Sequence, residues 1–332
     1  MAPNSLDPIV VDRALGAILG TACGDALGAG YEFGPPLADE VPVTMDGGHR
    51  GYGWEPGEWT DDTAMTIPIL RAMADGLNLE DEATLDRLVA EWTAWARTAT
   101  DVGNQTRAVL SGLGATPTAL GARAASKRFQ LTTGRSAGNG SLMRTAPVAL
   151  AYLTDPNPDR VTAVAREVSD LTHLDPDAGD ACVLWSVAMW NAVRDGRFDI
   201  DDAIGTLTGK DRHERWRVLL DEAERKQPRD FDRNGWVVQA IQGAWSAITH
   251  AGLGRDGAEP TSERVRDAIE RAVRGGRDTD TVAAIAGALV GAVAGVSAIP
   301  TEWLEVIHGW PGMRVDELTS LARRAIGDEK AG

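Results

Sequence analysis

The chain has 332 residues, 43% hydrophobic and 25% charged, a balance that describes a globular protein with a substantial core and excludes a disordered one. A net charge of −16 argues against binding a nucleic-acid backbone, which requires Lys and Arg to neutralise phosphates, but leaves room for a small anionic ligand held by local donors. The two cysteines, Cys23 and Cys182, have no metal spacing and sit among apolar residues, as buried thiols do in a reducing cytoplasm.

No basic stretch precedes an apolar core at the N-terminus, so no secretory leader is expected and the location is read as cytoplasmic. The first helix is predicted from Val11 to Gly30, with Gly16, Gly20, Gly24 and Gly28 at a spacing of four. Each such glycine weakens a helix by about 1 kcal/mol relative to Ala, so the spacing points to close backbone approach by another element. Tyr31 to Pro36 breaks the periodicity, and Glu32 lies in that break. A Gly-rich loop then runs through Gly47 and Gly48 to Gly57.

Trp59-Thr60-Asp61-Asp62-Thr63 opens a helix reaching about Asp75, with Thr60 as N-cap, two acidic residues in the first turn, and Pro68 expected to kink or end it. Glu82 to Thr98 carries Leu85, Leu88, Val89, Trp92 and Trp95 at helical spacing, a core-facing stripe. A turn at Asp101 to Thr106 leads into a short helix ending near Leu113. Gly134 to Arg144 is a second Gly-rich loop, readable either as an ordinary turn or as an anion cradle of converging backbone amides.

Asp159 to Thr172 and Ala178 to Arg194 read as consecutive helices joined around His173. Residues 195 to 235 are the most charged part and read as solvated helix faces. Gly235 to Thr249 and a segment marked by Val265, Ala268, Ile269, Ala272 and Val273 are further helices. The second of these runs into Gly275-Gly276-Arg277-Asp278-Thr279-Asp280-Thr281, after which an apolar run continues to Pro300. That run is long enough to suggest a membrane span, yet Ala and Gly dominate it and no basic cluster follows, so a buried helix is expected and no membrane partner. Gly287, Gly291 and Gly295 repeat the spacing of the first helix, and the two small faces are expected to pack together, the alternative being that each packs on some other helix. Trp303 to Ile307 and Val315 to Ile326 are short amphipathic helices before a polar tail from about residue 328. With no alternating strand pattern, the chain is expected to be all-α, a compact multi-helix orthogonal bundle forming one domain over 1–332.

Thr60-Asp61-Asp62 and Asp278-Thr279-Asp280-Thr281 each open a helix and together offer four carboxylates and several hydroxyls. Oxygen donors without neighbouring Cys or paired His suit Mg²⁺ or Mn²⁺ rather than zinc, and four converging carboxylates require cations.

Five segments in order, Gly24-Asp25-Ala26-Leu27-Gly28 through Glu32-Phe33, Trp59 to Thr63, Gly138-Asn139-Gly140-Ser141-Leu142-Met143-Arg144, Thr172-His173 and Asp278 to Thr281, resemble the ADP-ribosylglycohydrolases, including the dinitrogenase-reductase-activating type. The resemblance implies an all-α fold and a binuclear Mg²⁺ or Mn²⁺ centre bound by Thr60, Asp61, Asp62, Asp278, Asp280 and Thr281. It implies an ADP-ribosylated protein or small molecule as partner and substrate, with ADP-ribose as product. The loop residues Gly138, Asn139, Gly140, Ser141, Met143 and Arg144, with His173, would hold the diphosphate or a nearby ribose. Either Asp62 or Glu32 would be the general base, Glu32 matching the family's mobile glutamate. Asp101 would pair with a guanidinium leaving group, which favours arginine-linked ADP-ribose. Arg277, directly before Asp278, departs from the small or polar residue usual there. Two other readings are a phosphohydrolase, which would need a buried strand before Asp278, and a catalytically silent, metal-stabilised ADP-ribose-binding or structural relative.

Overall fold

The structure is a computed structural model that describes residues 6–47, 53–255 and 257–328. The expected polar tail and part of the loop from Gly47 lie largely outside the described residues.

Fifteen α-helices are present among them, α1 (Pro8–Ala29), α2 (Asp61–Ala74), α3 (Glu82–Trp95), α4 (Asn104–Ser111), α5 (Ala119–Thr133), α6 (Ala146–Leu150), α7 (Asp159–Asp170), α8 (Pro176–Asp195), α9 (Ile200–Gly205), α10 (Lys210–Arg225), α11 (Val237–His250), α12 (Ser262–Arg274), α13 (Thr279–Ala294), α14 (Thr301–Leu304) and α15 (Val315–Ala325). The remaining regular structure is three short 3-10 turns and a two-residue hairpin, β1 (His308–Gly309) against β2 (Met313–Arg314). The all-α expectation therefore holds.

At the centre, α1 and α13 run antiparallel with their backbones in contact. A Cβ placed on Gly16 would come 2.2 Å from Gly291 O, on Gly20 2.2 Å from Gly287 O, and on Gly24 2.1 Å from Ala283 O. No side chain larger than hydrogen fits at these positions, which is why glycine recurs every fourth residue. Both helices are buried around almost their whole circumference, as helices apolar on all sides must be. The expected pairing of the two small faces is thus observed. The last crossing carries the pair's consequence, since a Cβ on Gly28 would lie 2.4 Å from the Asp280 backbone. The end of α1 and the start of α13 are locked together.

Several expectations need correction. Pro68 neither ends nor divides α2, which continues to Ala74. The cost of about 3 kcal/mol for an interior proline is outweighed by complete burial of Met65, Ile67, Ile69 and Leu70, and Trp92 Nε1 donates to Met65 O (2.9 Å) beside the carbonyl that Pro68 cannot serve. Helix α5 had no sequence signal because its buried face is only Ala119, Ala122, Ala125 and Ser126, while Leu120 and Leu131 are exposed. The apolar run after Asp280 stops being α-helical at Ala294, where Gly295 turns left-handed at φ 85°. No helix among the described residues is long and apolar enough to cross a membrane.

The charged region is more than solvated faces. Trp216, Leu220 and Ala223 bury a narrow stripe of α10, and Asp180 of α8, 1% exposed, accepts from Arg166 (2.6 Å), Arg212 (3.1 Å) and the Trp216 indole (3.3 Å).

The backbone contact has a stability consequence. Gly20→Ala forces α1 and α13 apart and costs about 3 kcal/mol or more in urea denaturation, whereas Gly205→Ala, where a Cβ meets nothing, is neutral or slightly stabilising.

Candidate functional site

The N-terminus of α2 is capped by another helix. Asp25 of α1 is fully buried and accepts from Thr60 N (2.8 Å), Thr60 Oγ1 (2.8 Å), Thr63 N (2.9 Å) and Thr63 Oγ1 (2.6 Å). Thr60 occupies the N-cap position as expected, but its side chain does not cap. Asp25 satisfies the free amides instead, and the Thr60 hydroxyl is turned among carboxylates, 3.1 Å from Asp62 Oδ2 and 3.4 Å from Asp280 Oδ2. Four donors use the acceptor capacity of the Asp25 carboxylate.

The start of α13 is held from two sides. Arg277 and Phe33 both adopt left-handed backbone, φ 66° and 57°, and two hydrogen bonds tie their segments together: Phe33 N donates to Arg277 O (2.5 Å) and Arg277 N to Gly34 O (2.7 Å). Non-glycine residues held there carry strain that the surrounding packing must support. Glu32 is positioned by this clamp. On the other side Asn234 donates to Gly276 O (2.9 Å) and accepts from Asp278 N (3.2 Å). Asn139 Nδ2 donates to Asp278 Oδ2 (2.8 Å) and to Asn234 O (2.9 Å).

Two carboxylate trios result. Oxygens of Asp25, Asp62 and Asp280 lie within 4.8 Å of one another, as do those of Glu32, Asp278 and Asp280. Asp280 belongs to both. Asp61 is buried alongside and accepts from Gly103 N (3.2 Å). Burial, then the charges of Asp278 and Asp101, pushes Glu32 up to about 9. Asp61 is pushed up to about 7, by burial first and Asp101 next. Asp62 and Asp280 are raised well above the usual carboxylate range, again chiefly by burial. Two buried oxygens, Glu32 Oε2 and Asp62 Oδ1, have no hydrogen-bond partner among the described residues. An all-oxygen donor set with unsatisfied buried carboxylate oxygens fits a hard divalent cation.

The second Gly-rich loop lies against this cluster through Asn139. Among the described residues, the amides of Gly140 and Ser141 donate to no protein acceptor, as an anion cradle requires. The His173 ring packs on the loop, a Cβ on Gly138 or Gly140 falling 3.3 Å from its Nε2. The expected loop side chains divide here. Ser141 Oγ accepts from Ser169 Oγ (2.9 Å) in the core, and Met143 is buried. Arg144 does not face a ligand: it is 0% exposed, its guanidinium 4.1 Å over the Trp92 ring and 2.7 Å from Thr172 Oγ1. An arginine that close to a Gly-rich loop reads as an anion binder in sequence; its burial is a tertiary fact.

Asp101 is half-buried at the edge of the carboxylate cluster. Beside it a cavity of about 510 Å³ opens, lined by Trp54, Glu58, Trp59, Asp61, Trp95 and Trp310 among others. Asp25 and Asn234 were missed as site residues by sequence reasoning. Asp25 did carry a signal, being the single charge between Arg13 and Glu32 in an otherwise apolar helix; Asn234 had none.

A family model described as ADP-ribosylglycohydrolase matches residues 6–331. The chain is 29% identical over 302 residues to "ADP-ribosylarginine hydrolase Tri1" of Pseudomonas putida (strain GB-1), covering 90% of this chain and 74% of that protein. It is 30% identical over 320 residues to "ADP-ribosyl-[dinitrogen reductase] glycohydrolase" of Rhodospirillum rubrum, covering 90% of each. A solved "ADP-ribosylglycohydrolase-related protein complex" superposes with a TM-score of 0.70 at 27% identity, covering 96% of this chain and 98% of that one.

The raised carboxyls set a stability profile. Between the ordinary carboxylate value near 4 and the raised values, about 7 for Asp61 and about 9 for Glu32, the folded state binds more protons than the unfolded one. Stability of the cation-free protein therefore falls as pH rises from about 5 to 9. Saturating Mg²⁺ or Mn²⁺ raises the melting midpoint most at the upper end and flattens the profile, and EDTA reverses this in differential scanning calorimetry.

Proposed function

The chain belongs to the ADP-ribosylglycohydrolase family, whose members are glycosidic-bond hydrolases, and from that premise we propose that it hydrolyses the C1 glycosidic bond of an ADP-ribosyl group and releases ADP-ribose. The observation that carries this reading is the pair of carboxylate trios sharing Asp280, set beside a loop with two free amides.

Two Mg²⁺ or Mn²⁺ ions would be held by Asp62, Asp278 and Asp280 with Thr60, Asp61 and Thr281. Asp25 is excluded from the ligand set because its four hydrogen bonds leave no free lone pair, although its oxygens fall within the first trio. When bound, such cations supply positive charge that orients ribose hydroxyls and lowers the proton affinity of neighbouring water and carboxyl groups. The chain's own residues do the rest. The Gly140 and Ser141 amides and His173 hold the diphosphate, while Asn139 keeps Asp278 turned toward the cluster. Glu32, 7% exposed with one unpartnered oxygen, is the better placed of the two candidate bases, since Asp62 is 0% exposed. Water adds to C1 and gives its proton to Glu32, the C1 bond breaks with its electron pair going to the leaving nitrogen or oxygen, and that atom takes up the proton that Glu32 received. The developing oxocarbenium charge is stabilised by the surrounding carboxylates.

Arginine-linked ADP-ribose is the preferred substrate. The cavity beside Asp101 combines tryptophan faces with carboxylates, which suits a guanidinium leaving group through cation–π contact and charge-assisted hydrogen bonds.

Incubation with Mg²⁺ or Mn²⁺ and ADP-ribosylated arginine, serine and nucleic-acid substrates releases ADP-ribose, fastest from arginine. Asp62→Asn with Asp280→Asn abolishes release, on the order of 100-fold or more, and Glu32→Gln lowers kcat by about 100-fold with little change in ADP-ribose affinity. Release that persists in the double variant would sink the metal reading. Tight ADP-ribose binding with no release from any substrate would mean a silent binding protein.

A further inference from the structure

Arg144 is a buried cation without a carboxylate partner among its contacts. Its guanidinium touches Trp92, Met65 Sδ (3.8 Å), Val168 O (3.2 Å) and Thr172 Oγ1 (2.7 Å). Thr172, also 0% exposed, places the same Oγ1 2.7 Å from His173 Nδ1. The three side chains therefore form a line from the core to the Gly-rich loop.

The chemistry of each group directs the hydrogens along that line. A guanidinium only donates, so Thr172 Oγ1 accepts from Arg144. The hydroxyl proton is left in a buried place, and among the described residues the other group on Oγ1 is His173 Nδ1. Were Nδ1 protonated, it would donate to Oγ1 and strand the hydroxyl proton, a loss that disfavours that tautomer by roughly tenfold or more. Burial, and after it the Arg144 charge, holds the imidazole pKa well below its ordinary value, so the ring is neutral. The single ring proton then sits on Nε2, the atom that faces Gly138 and Gly140 and makes no hydrogen bond to the described protein.

We infer that Arg144 is a positioning residue: by donating to Thr172 it sets the Nε2–H tautomer of His173, which gives the loop a third donor, beside the Gly140 and Ser141 amides, for an anionic oxygen of the ligand. This rests on the reading that the loop holds the diphosphate of an ADP-ribosyl group. Arg144 acts without touching that ligand, which explains a conflict between its place in a loop motif and its burial.

The test combines tautomer and affinity in full-length protein labelled with ¹³C and ¹⁵N at histidine, His173 being assigned by its loss in His173→Asn. The unmodified protein shows the Nε2–H tautomer in the ¹³Cδ2 and ¹⁵N shifts. Arg144→Met and Thr172→Val each raise the Nδ1–H form to a substantial fraction and weaken ADP-ribose binding about 5- to 10-fold by calorimetry, while Thr172→Ser restores both. If Arg144→Met fails to fold, the Thr172→Val and Thr172→Ser pair decides by itself. An Nδ1–H tautomer in the unmodified protein, or a tautomer unmoved by Thr172→Val, overturns the inference. Absence of ADP-ribose binding to the unmodified protein, with the tautomer shifting as stated, overturns the ADP-ribosyl reading and leaves the side-chain relay standing.

Discussion

Everything at the site depends on one contact, the backbone-to-backbone packing of α1 on α13. With Gly16, Gly20, Gly24 and Gly28 against Gly291, Gly287, Ala283 and Asp280, the two helix axes approach as closely as main chains allow. The antiparallel direction then has a geometric result. The C-terminal end of α1, with Asp25 before it and Glu32 after it, arrives beside the N-terminal turn of α13, with Asp278 and Asp280. A larger residue on either face would separate these ends and disperse the carboxylates without touching any of them.

The electrostatics of the cluster are unfavourable by themselves, and the fold bears that cost in a graded way. Asp25 is compensated by the α2 amides and two threonine hydroxyls, so it serves as a fixed cap. Asp278 is partly compensated by Asn139, and Asp61 by Gly103. Asp62 and Glu32 each keep an unsatisfied buried oxygen. Local compensation thus falls across the cluster, from Asp25 to Asp62 and Glu32, which keep the least satisfied oxygens. The left-handed residues Phe33 and Arg277 belong to the same arrangement, since the bonds from Phe33 N to Arg277 O and from Arg277 N to Gly34 O hold the segment after Glu32 against the start of α13.

Sequence by itself determined a good deal here, because the relevant signals are local. Helical periodicity and the absence of alternating runs made the chain all-α; glycine at a spacing of four marked both central helices, since only close approach explains so much lost helix propensity. Paired Thr/Asp clusters at two helix starts marked segments whose carboxylates the fold brings together, because acidic residues at helix starts are a local pattern. What the tertiary structure decided were the partners. Which helix Asp25 caps, that α2 tolerates Pro68, that Asn234 braces the Asp278 turn, and that Arg144 faces the core while His173 faces the loop all depend on contacts between residues tens to hundreds apart in the chain. Burial and hydrogen-bond direction are properties of such contacts, and no local pattern of residues encodes them.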